Sequence, residues 1–166
     1  MKITLRAAFA NDADKITGLL VTSREKFLPY APSPHTESEV NDWVREQLIP
    51  AGGVTLAISD TESVGVLAVS KSHGISWIDQ LYVAPQFVGQ GIGTVLVEHA
   101  INTLPRPVRL YTFQRNVRAR RFYERHGFRA MSFSNGENNE EQCPDVLYEL
   151  PFEVENGPLR PATGSR

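Results

Sequence analysis

The sequence predicts an α/β (α+β) fold: one domain with a mixed, mostly antiparallel twisted sheet of about seven strands and helices on both faces. Two observations support this prediction. Three strand-like segments, Val54–Ser59, 63–70 and Ile75–Val83, follow one another through turns that are short enough for antiparallel hairpins. Further along the chain, a helical segment separates two strand-like segments, and a crossover of this kind gives a parallel pair with a helix packed on the sheet.

The amino-terminal third predicts one strand followed by two helices. Apolar and polar residues alternate over residues 2–7, as they do in a strand with one buried face. Asn11 and Asp14 resemble a capping box, and the apolar residues after them recur at helical spacing until a group of prolines breaks the helix. Thr36 and Glu39 form a stronger capping box before a second helix, which the sequence Pro-Ala-Gly-Gly at residues 50–53 ends.

The carboxy-terminal half predicts two more helices and three more strands. A helix follows a glycine-rich turn, and Val108–Phe113 is the strand after it. Asn116 opens a further helix, for which Gly127 supplies a left-handed C-cap. Residues 128–134 and 146–150 are the closing strands, with an acidic, asparagine-rich loop between them.

Length and composition indicate one domain over residues 1–152 and a flexible tail over residues 153–166. A net charge of −2 favours neither nucleic acid nor an anionic membrane, and no apolar run is long enough to span a bilayer. The single cysteine, Cys143, has no disulfide partner within the chain, so we expect a cytoplasmic protein. The four histidines lack the spacing of metal ligands, and we therefore predict no metal site.

The glycine-rich turn is the most informative segment of the sequence. Gly89, Gly91 and Gly93 occupy alternate positions between a strand and a helix. Such a turn aims backbone N–H groups and the positive end of a helix dipole at one place, which suits phosphate or pyrophosphate. The spacing departs from the dinucleotide-binding fingerprint, and the lysine of a P-loop is missing. For the glycines alone, a structural turn without a ligand is an equally good interpretation.

A second motif narrows the interpretation. The helix that Asn116 opens reads Asn-Val-Arg-Ala-Arg-Arg-Phe-Tyr-Glu-Arg-His-Gly-Phe over residues 116–128. This segment resembles the Asn-x-x-Ala-x-x-Phe-Tyr-x-x-x-Gly-Phe signature of the GNAT acetyltransferases. The glycine turn, together with the Leu-Tyr-Val-x-Pro that leads into it, resembles the acetyl-CoA loop of the same family. The resemblance is sharp over residues 78–128 and extends elsewhere to the order of the elements.

The resemblance implies a site for acetyl-CoA, the cosubstrate, between two diverging strands. By this likeness, the backbone of Leu81 and Val83 pairs with the pantetheine arm, Asn116 touches the arm, and Tyr123 donates a proton to the departing thiolate. The predicted coenzyme-binding residues of the turn are Val88, Gly89, Gln90, Gly91, Ile92, Gly93 and Thr94. Val88 stands where the family usually has Gln or Arg, which puts the strength of coenzyme binding in question. Arg115, Arg118, Arg120 and Arg121 are candidates for compensating charge.

The general base is not fixed by the motifs. Asp79, on the strand that enters the glycine turn, is the first candidate, and Tyr111 on the neighbouring strand is the second. For Asp79, a purely structural role as a hydrogen-bond acceptor is an equally good interpretation.

The function implied by the resemblance is an N-acetyltransferase that moves an acetyl group from acetyl-CoA to a primary amine by direct attack in a ternary complex. The acceptor is a small molecule, a peptide amino terminus or a lysine, chosen by residues around Phe27, Tyr30, His35 and Trp43 and by the acidic loop 135–143. We expect no nucleic-acid or membrane partner, and a homodimer is left open. The alternative function is a catalytically silent acyl-CoA-binding regulatory module.

Overall fold

Seven strands form one sheet in the computed structural model, which describes residues 1–153. The strands are β1 (Ile3–Ala7), β2 (Val54–Ser59), β3 (Glu62–Ser72), β4 (Ile75–Val83), β5 (Val108–Phe113), β6 (Arg129–Ser134) and β7 (Asp145–Leu150). Their spatial order is β1-β2-β3-β4-β5-β7-β6, and each neighbouring pair is antiparallel except β4 and β5. The predicted mixed, mostly antiparallel sheet is confirmed. The tail predicted over residues 153–166 lies outside the described residues, apart from Glu153.

Four helices pack on the two faces of the sheet within the described residues. They are α1 (Ala13–Phe27), α2 (Glu37–Trp43), α3 (Ile92–Thr103) and α4 (Val117–Arg125). One buried cluster joins α3 and α4 to one face of the sheet, and a second joins α1 and α2 to the other face. Helices on both faces are therefore confirmed. No helix in residues 1–153 is both long and apolar enough to cross a membrane.

The predicted capping box at Asn11 and Asp14 is wrong. A 3₁₀ turn, Ala10–Asp12, precedes α1, and no side chain caps the helix. Asp12 is only 5% exposed and pairs with Arg6 through two bonds of 2.8 and 3.0 Å. A buried carboxylate needs a charged partner, and Arg6 on β1 supplies it, whereas Asp14 is 83% exposed and bonds to residues of α2 and the turn that follows it.

The second helix begins as predicted and ends in an unexpected way. Thr36 and Glu39 exchange the two bonds of a capping box, at 3.1 and 2.8 Å. The helix then widens into a π-helical turn, Val44–Leu48, and closes with the single turn Ile49–Ala51. Pro50 lies inside this last turn. Proline has no N–H to donate and clashes with the preceding turn of an α-helix, and the wider π turn before it leaves room for the ring.

Candidate active site

The strands β4 and β5 are adjacent over only two residue pairs, Ser76 with Val108 and Trp77 with Arg109. Beyond these pairs the two strands separate, as the resemblance implies. The gap opens into a cleft of about 980 Å³. Its walls come from β4, β5, the glycine turn, α4 and the carboxy-terminal end of α1.

The structure brings nearly all of the sequence-predicted site residues to this cleft. The residues that line it are Asp79, Leu81, Val83, Val88, Gly89, Gly91, Ile92, Gly93, Thr94, Asn116 and Tyr123. Gln90 is the exception, because its exposed side chain turns back and donates to the carbonyl of Gln86 at 3.4 Å. The shared location is an observation, and the individual roles of these residues stay predictions.

The glycine turn leads directly into the first backbone N–H groups of α3. Gly89 and Gly91 both have a φ of +87°, and no protein atom lies within 4 Å of the position where a Cβ would stand. Gly91 is the N-cap of α3, and no side chain caps this helix. The first amides of a helix have no partner within it, so those of residues 92–94 are free for a ligand in the cleft.

The edge of β4 presents further backbone groups to the gap. The amide of Ala84 donates to the carbonyl of Val64 on β3 at 2.8 Å. Because the polar groups of successive strand residues point to opposite sides, those of Leu81 and Val83 point away from β3, into the gap. The hydroxyl of Ser23 on α1 donates to the carbonyl of Val83 at 3.1 Å, which leaves the Val83 amide free. These groups fit an amide-bearing ligand that pairs with the strand.

Arginine side chains supply the positive charge of the cleft. Arg115 and Arg118 line it, with their guanidinium groups over the rings of Tyr30 at 4.4 Å and Phe27 at 5.8 Å. Two further arginines of α4 line the cleft, namely Arg121 and Arg125. The suggestion that Arg120 adds to this charge is wrong. Arg120 instead donates to the hydroxyl of Tyr148 at 3.1 Å, because it lies on the side of α4 that faces β7.

Tyr123 lies at the apolar end of the cleft. Its side chain is buried against the rings of Phe122 and Phe128, with centroids at 5.2 and 5.6 Å. Burial raises the pKa of its hydroxyl well above the ordinary value, so the group keeps its proton at neutral pH. In the described part of the chain, no side-chain hydrogen bond involves this hydroxyl. A protonated, unengaged hydroxyl facing a cleft is able to donate to a ligand.

Asn116 has a structural task that limits its use as a ligand group. Its side-chain oxygen accepts a hydrogen bond from the amide of Ala119 at 3.2 Å and so caps α4. The oxygen is therefore engaged in the fold. The side-chain NH₂ group remains for contact with a ligand in the cleft.

Asp79 is the extra residue of a β-bulge. On β3 the neighbouring residues Ala68 and Val69 pair with Gln80 and Ile78, so Asp79 has no partner across the strands. Its side chain reaches the cleft; although the residue is exposed at the surface, desolvation at the cleft wall raises the pKa of its carboxyl, and Ser70 lowers it. A carboxyl with a raised pKa, at a cleft, can take up a proton from a ligand.

The residues expected to choose the acceptor divide between two cavities. Phe27 and Tyr30 line the main cleft, whereas His35 and Trp43 line a second cavity of about 760 Å³ between α1, α2 and the loop 135–143. Leu28 and Gln80 line both cavities. No local pattern of residues points to Gln80, because its place at the second cavity depends on the bulge in β4.

Two ion pairs join the loop 135–143 to the α1–α2 region. Glu141 accepts from Arg24 at 3.0 Å, and Glu140 contacts His35 at 2.9 Å. The hydrogen bond to Glu140 raises the pKa of His35. Within the loop, the side chain of Asn139 bonds both the amide and the carbonyl of Cys143. Cys143 itself is buried.

Comparison with known proteins agrees with this geometry. A family model described as the acetyltransferase (GNAT) family matches residues 20–128. The peptidyl-lysine N-acetyltransferase YjaB of Salmonella typhimurium is 29% identical over 133 residues, which are 78% of this chain and 85% of that protein.

Solved structures show the same fold. The solution structure of apo-form YjaB from Escherichia coli has a TM-score of 0.71 and 23% identity, and covers 90% of this chain and 98% of that one. Naa50 of Arabidopsis thaliana, in complex with the bisubstrate analogue CoA-Ac-MVNAL, has a TM-score of 0.69 and 20% identity, and covers 92% of this chain and 100% of that one. Since the family model spans more than half of the sequence, the chain belongs to the GNAT acetyltransferase family and transfers an acetyl group from acetyl-CoA to an amine.

Proposed function

We propose that the chain acetylates the side-chain amine of lysine in a peptide or protein, in the cytoplasm, with Tyr123 as the general acid and Asp79 as the base. The observation that carries the proposal is the meeting of three features at one gap. These features are the free amides at the start of α3, the unpaired edge of β4 and the protonated hydroxyl of Tyr123.

The described residues fit coenzyme A. The free amides of residues 92–94 suit its pyrophosphate, and the edge groups of Leu81 and Val83 suit the amides of its pantetheine arm. Arginines along the cleft add charge that partly replaces the side chain missing at Val88. When bound, the coenzyme supplies the acetyl thioester.

Proton transfer is the main chemical task of the protein groups. An alkyl amine has a pKa near 10.4, so forming the neutral nucleophile at pH 7 costs about 4.6 kcal/mol. Asp79 receives that proton, directly or through water, and its raised pKa makes it a better base than an ordinary aspartate. Tyr123 holds its proton where the thiolate leaves and donates a hydrogen bond to it.

Charge around the second cavity supports a cationic acceptor. Three glutamates outside the two ion pairs, Glu25, Glu37 and Glu39, line this cavity, which adjoins the main cleft at Gln80. Such a surface attracts the ammonium group of a lysine and repels acidic peptides. The similarity to a protein named as a peptidyl-lysine N-acetyltransferase favours lysine over a peptide amino terminus or a free amine.

The proposed location follows from the chemistry of Cys143. It is the single cysteine of the chain, it is buried, and it has no partner for a disulfide. A protein that folds without disulfides is compatible with the reducing cytoplasm.

The experiment is an assay of thiol release from acetyl-CoA in the presence of lysine peptides, for the wild type and Tyr123→Phe. The substitution keeps the ring and removes the proton donor, so we expect kcat to fall about 100-fold while coenzyme binding is retained. Acetyl-CoA should raise the Tm of both proteins, because a ligand that binds the folded state stabilises it.

Tyr148→Phe is the matched control. Tyr148 lies outside the cleft, and its hydroxyl donates to Glu124 at 2.6 Å. This control should lose stability and keep its kcat, which is the reverse of Tyr123→Phe. An unchanged kcat in Tyr123→Phe, with chemistry limiting the rate, contradicts the role of the acid. A Tm shift with acetyl-CoA, but no thiol release with any amine, favours the silent regulatory module instead.

A further inference from the structure

The face of the sheet that carries α1 and α2 is only partly covered. The buried cluster beneath these helices contains, among the described residues, no side chain from β5, β6 or β7. On β5, Val108 and Leu110 are buried in the cluster of the opposite face, so the alternating residue Tyr111 lies on the uncovered one. On β4, Ile78 is buried in the cluster of the opposite face, so its neighbour Trp77 lies on the uncovered face with Tyr111.

Trp77 and Tyr111 form a stacked pair, which we call the aromatic platform. Their ring centroids are 5.7 Å apart and the planes differ by 9°. Tyr111 is 60% exposed, although most aromatic side chains of this protein are packed in the core or beside the cleft. Leu147 on β7 stands directly opposite Tyr111 and extends the apolar surface. Beyond it, the ion pair of Arg109 and Glu149, at 2.7 Å, gives the surface a polar rim.

The aromatic platform is continuous with the active-site cleft. Tyr111 and Asp79 both line the cleft, and Asp79 follows Trp77 by two residues on β4. Ser70 pairs with Trp77 across the strands and is the side chain that lowers the pKa of Asp79 against desolvation, so the carboxyl lies near the platform's face. The platform therefore ends at the carboxylate that we propose as the base.

We infer that the aromatic platform is the docking surface for the lysine-bearing segment of a peptide acceptor. This inference rests on the proposed function and adds the surface that recognises the acceptor. A lysine side chain has a four-carbon apolar stem and a terminal cation, and the surface offers flat aromatic rings followed by a carboxylate. The stem lies on the rings, and the ammonium group reaches Asp79 at the mouth of the cleft.

The test measures binding without turnover. The chain has two tryptophans, Trp43 and Trp77, so in a Trp43→Phe background the fluorescence reports on Trp77 alone. The probe is the capped peptide Gly-Gly-Lys-Gly-Gly, added in the presence of coenzyme A, and the comparison peptide has norleucine in place of lysine. We expect the lysine peptide to change the emission of Trp77 and to bind more tightly than the norleucine peptide.

Three variants locate the contact. Tyr111→Ser should weaken binding of the lysine peptide by about two- to fivefold, because the apolar stem of the lysine loses its contact with one ring. Tyr111→Phe keeps the ring and should bind as the parent protein does. Phe133→Ser is the matched control, because Phe133 is 57% exposed but lies on the other face of the sheet, beneath Arg120 of α4. It should leave binding unchanged.

The inference is wrong if the lysine peptide leaves the emission of Trp77 unchanged, or if Tyr111→Ser binds it as well as the parent does. It is equally wrong if Phe133→Ser loses as much affinity, or if the norleucine peptide binds as tightly. Sedimentation supplies one further check: a wild-type dimer that Tyr111→Ser dissociates would assign the platform to a second copy of the chain. Because binding is measured without acetyl transfer, a missing activity contradicts the proposed function and leaves this test valid.

Discussion

The ion pair between Arg6 and Asp12 leads to a prediction about stability whose size follows from the structure. Asp12 is 5% exposed, and both of its oxygens accept hydrogen bonds from Arg6, while one also accepts from the amide of Phe9 at 2.7 Å. The hydrogen bonds from Arg6 and Phe9 lower the pKa of Asp12 from 3.8 to about 2, against the opposing effect of burial. Asp12→Asn keeps the shape of the side chain and removes its charge.

A pKa difference of this size corresponds to about 2.4 kcal/mol of folding free energy, at about 1.36 kcal/mol per pKa unit. Since the Arg6 side chain is 34% exposed, screening by solvent reduces this value, and we expect Asp12→Asn to lose about 1–2 kcal/mol at pH 7. The pKa of Asp12 is lower in the folded state than in the unfolded state. Its contribution is therefore fully present above about pH 5 and is lost as the pH falls from about 4 towards 2.

Urea unfolding followed by tryptophan fluorescence, at pH 7 and at several values between 4 and 2, measures this contribution. The free energies of unfolding of the wild type and Asp12→Asn should differ most at pH 7 and converge as the pH falls. The kcat of Asp12→Asn should stay unchanged, because Asp12 lies at the start of α1, away from the cleft. A difference below about 0.5 kcal/mol at pH 7, or one that does not depend on pH, would refute the reasoning.

Two further predictions concern the cleft. Asp79→Asn should lower kcat/KM and flatten the rise of kcat/KM with pH on the acid side, because the raised pKa of the proposed base sets that rise. A variant that keeps both the rate and the rise would point to a water relay instead. Val88→Arg should tighten acetyl-CoA binding by about two- to fivefold at low salt, measured by calorimetry, with a smaller gain as salt is added. No gain at low salt would mean that the side chain at position 88 does not reach the coenzyme.

The sheet was predictable because its hairpins are local. The turn between β3 and β4 places His73 and Gly74 at φ values of 52° and 78°, and such a two-residue turn is encoded by neighbouring residues alone. The start of α1 was not predictable in this way. Asp12 is fixed by Arg6 on another element, and a capping pattern such as Asn11 with Asp14 carries no information about that competing partner.

The location of the glycine turn at the cleft was also predictable, because this wall is built from backbone. Glycines at fixed spacing are visible in a sequence, and the structure gives a backbone reason for two of them. Gly89 and Gly91 adopt positive φ values next to open space, whereas a Cβ at Gly93 would make an ordinary contact, at 3.4 Å, with the ring of Phe122. The bulge at Asp79 was not predictable, since it depends on the register between two strands and no neighbouring residue in the sequence indicates it.

The two sides of the cleft should therefore respond differently to substitution. On the proposed coenzyme side, backbone amides are the groups offered to the phosphates, so we expect that a side chain such as Val88 can change there without removing them. On the acceptor side, side chains form the surface, and each one can change the preferred acceptor while the fold is retained. The platform of Trp77 and Tyr111 and the loop that carries Glu140 stand on this side. A relative with the same glycine turn but different residues at these positions should share the cosubstrate and acetylate a different amine.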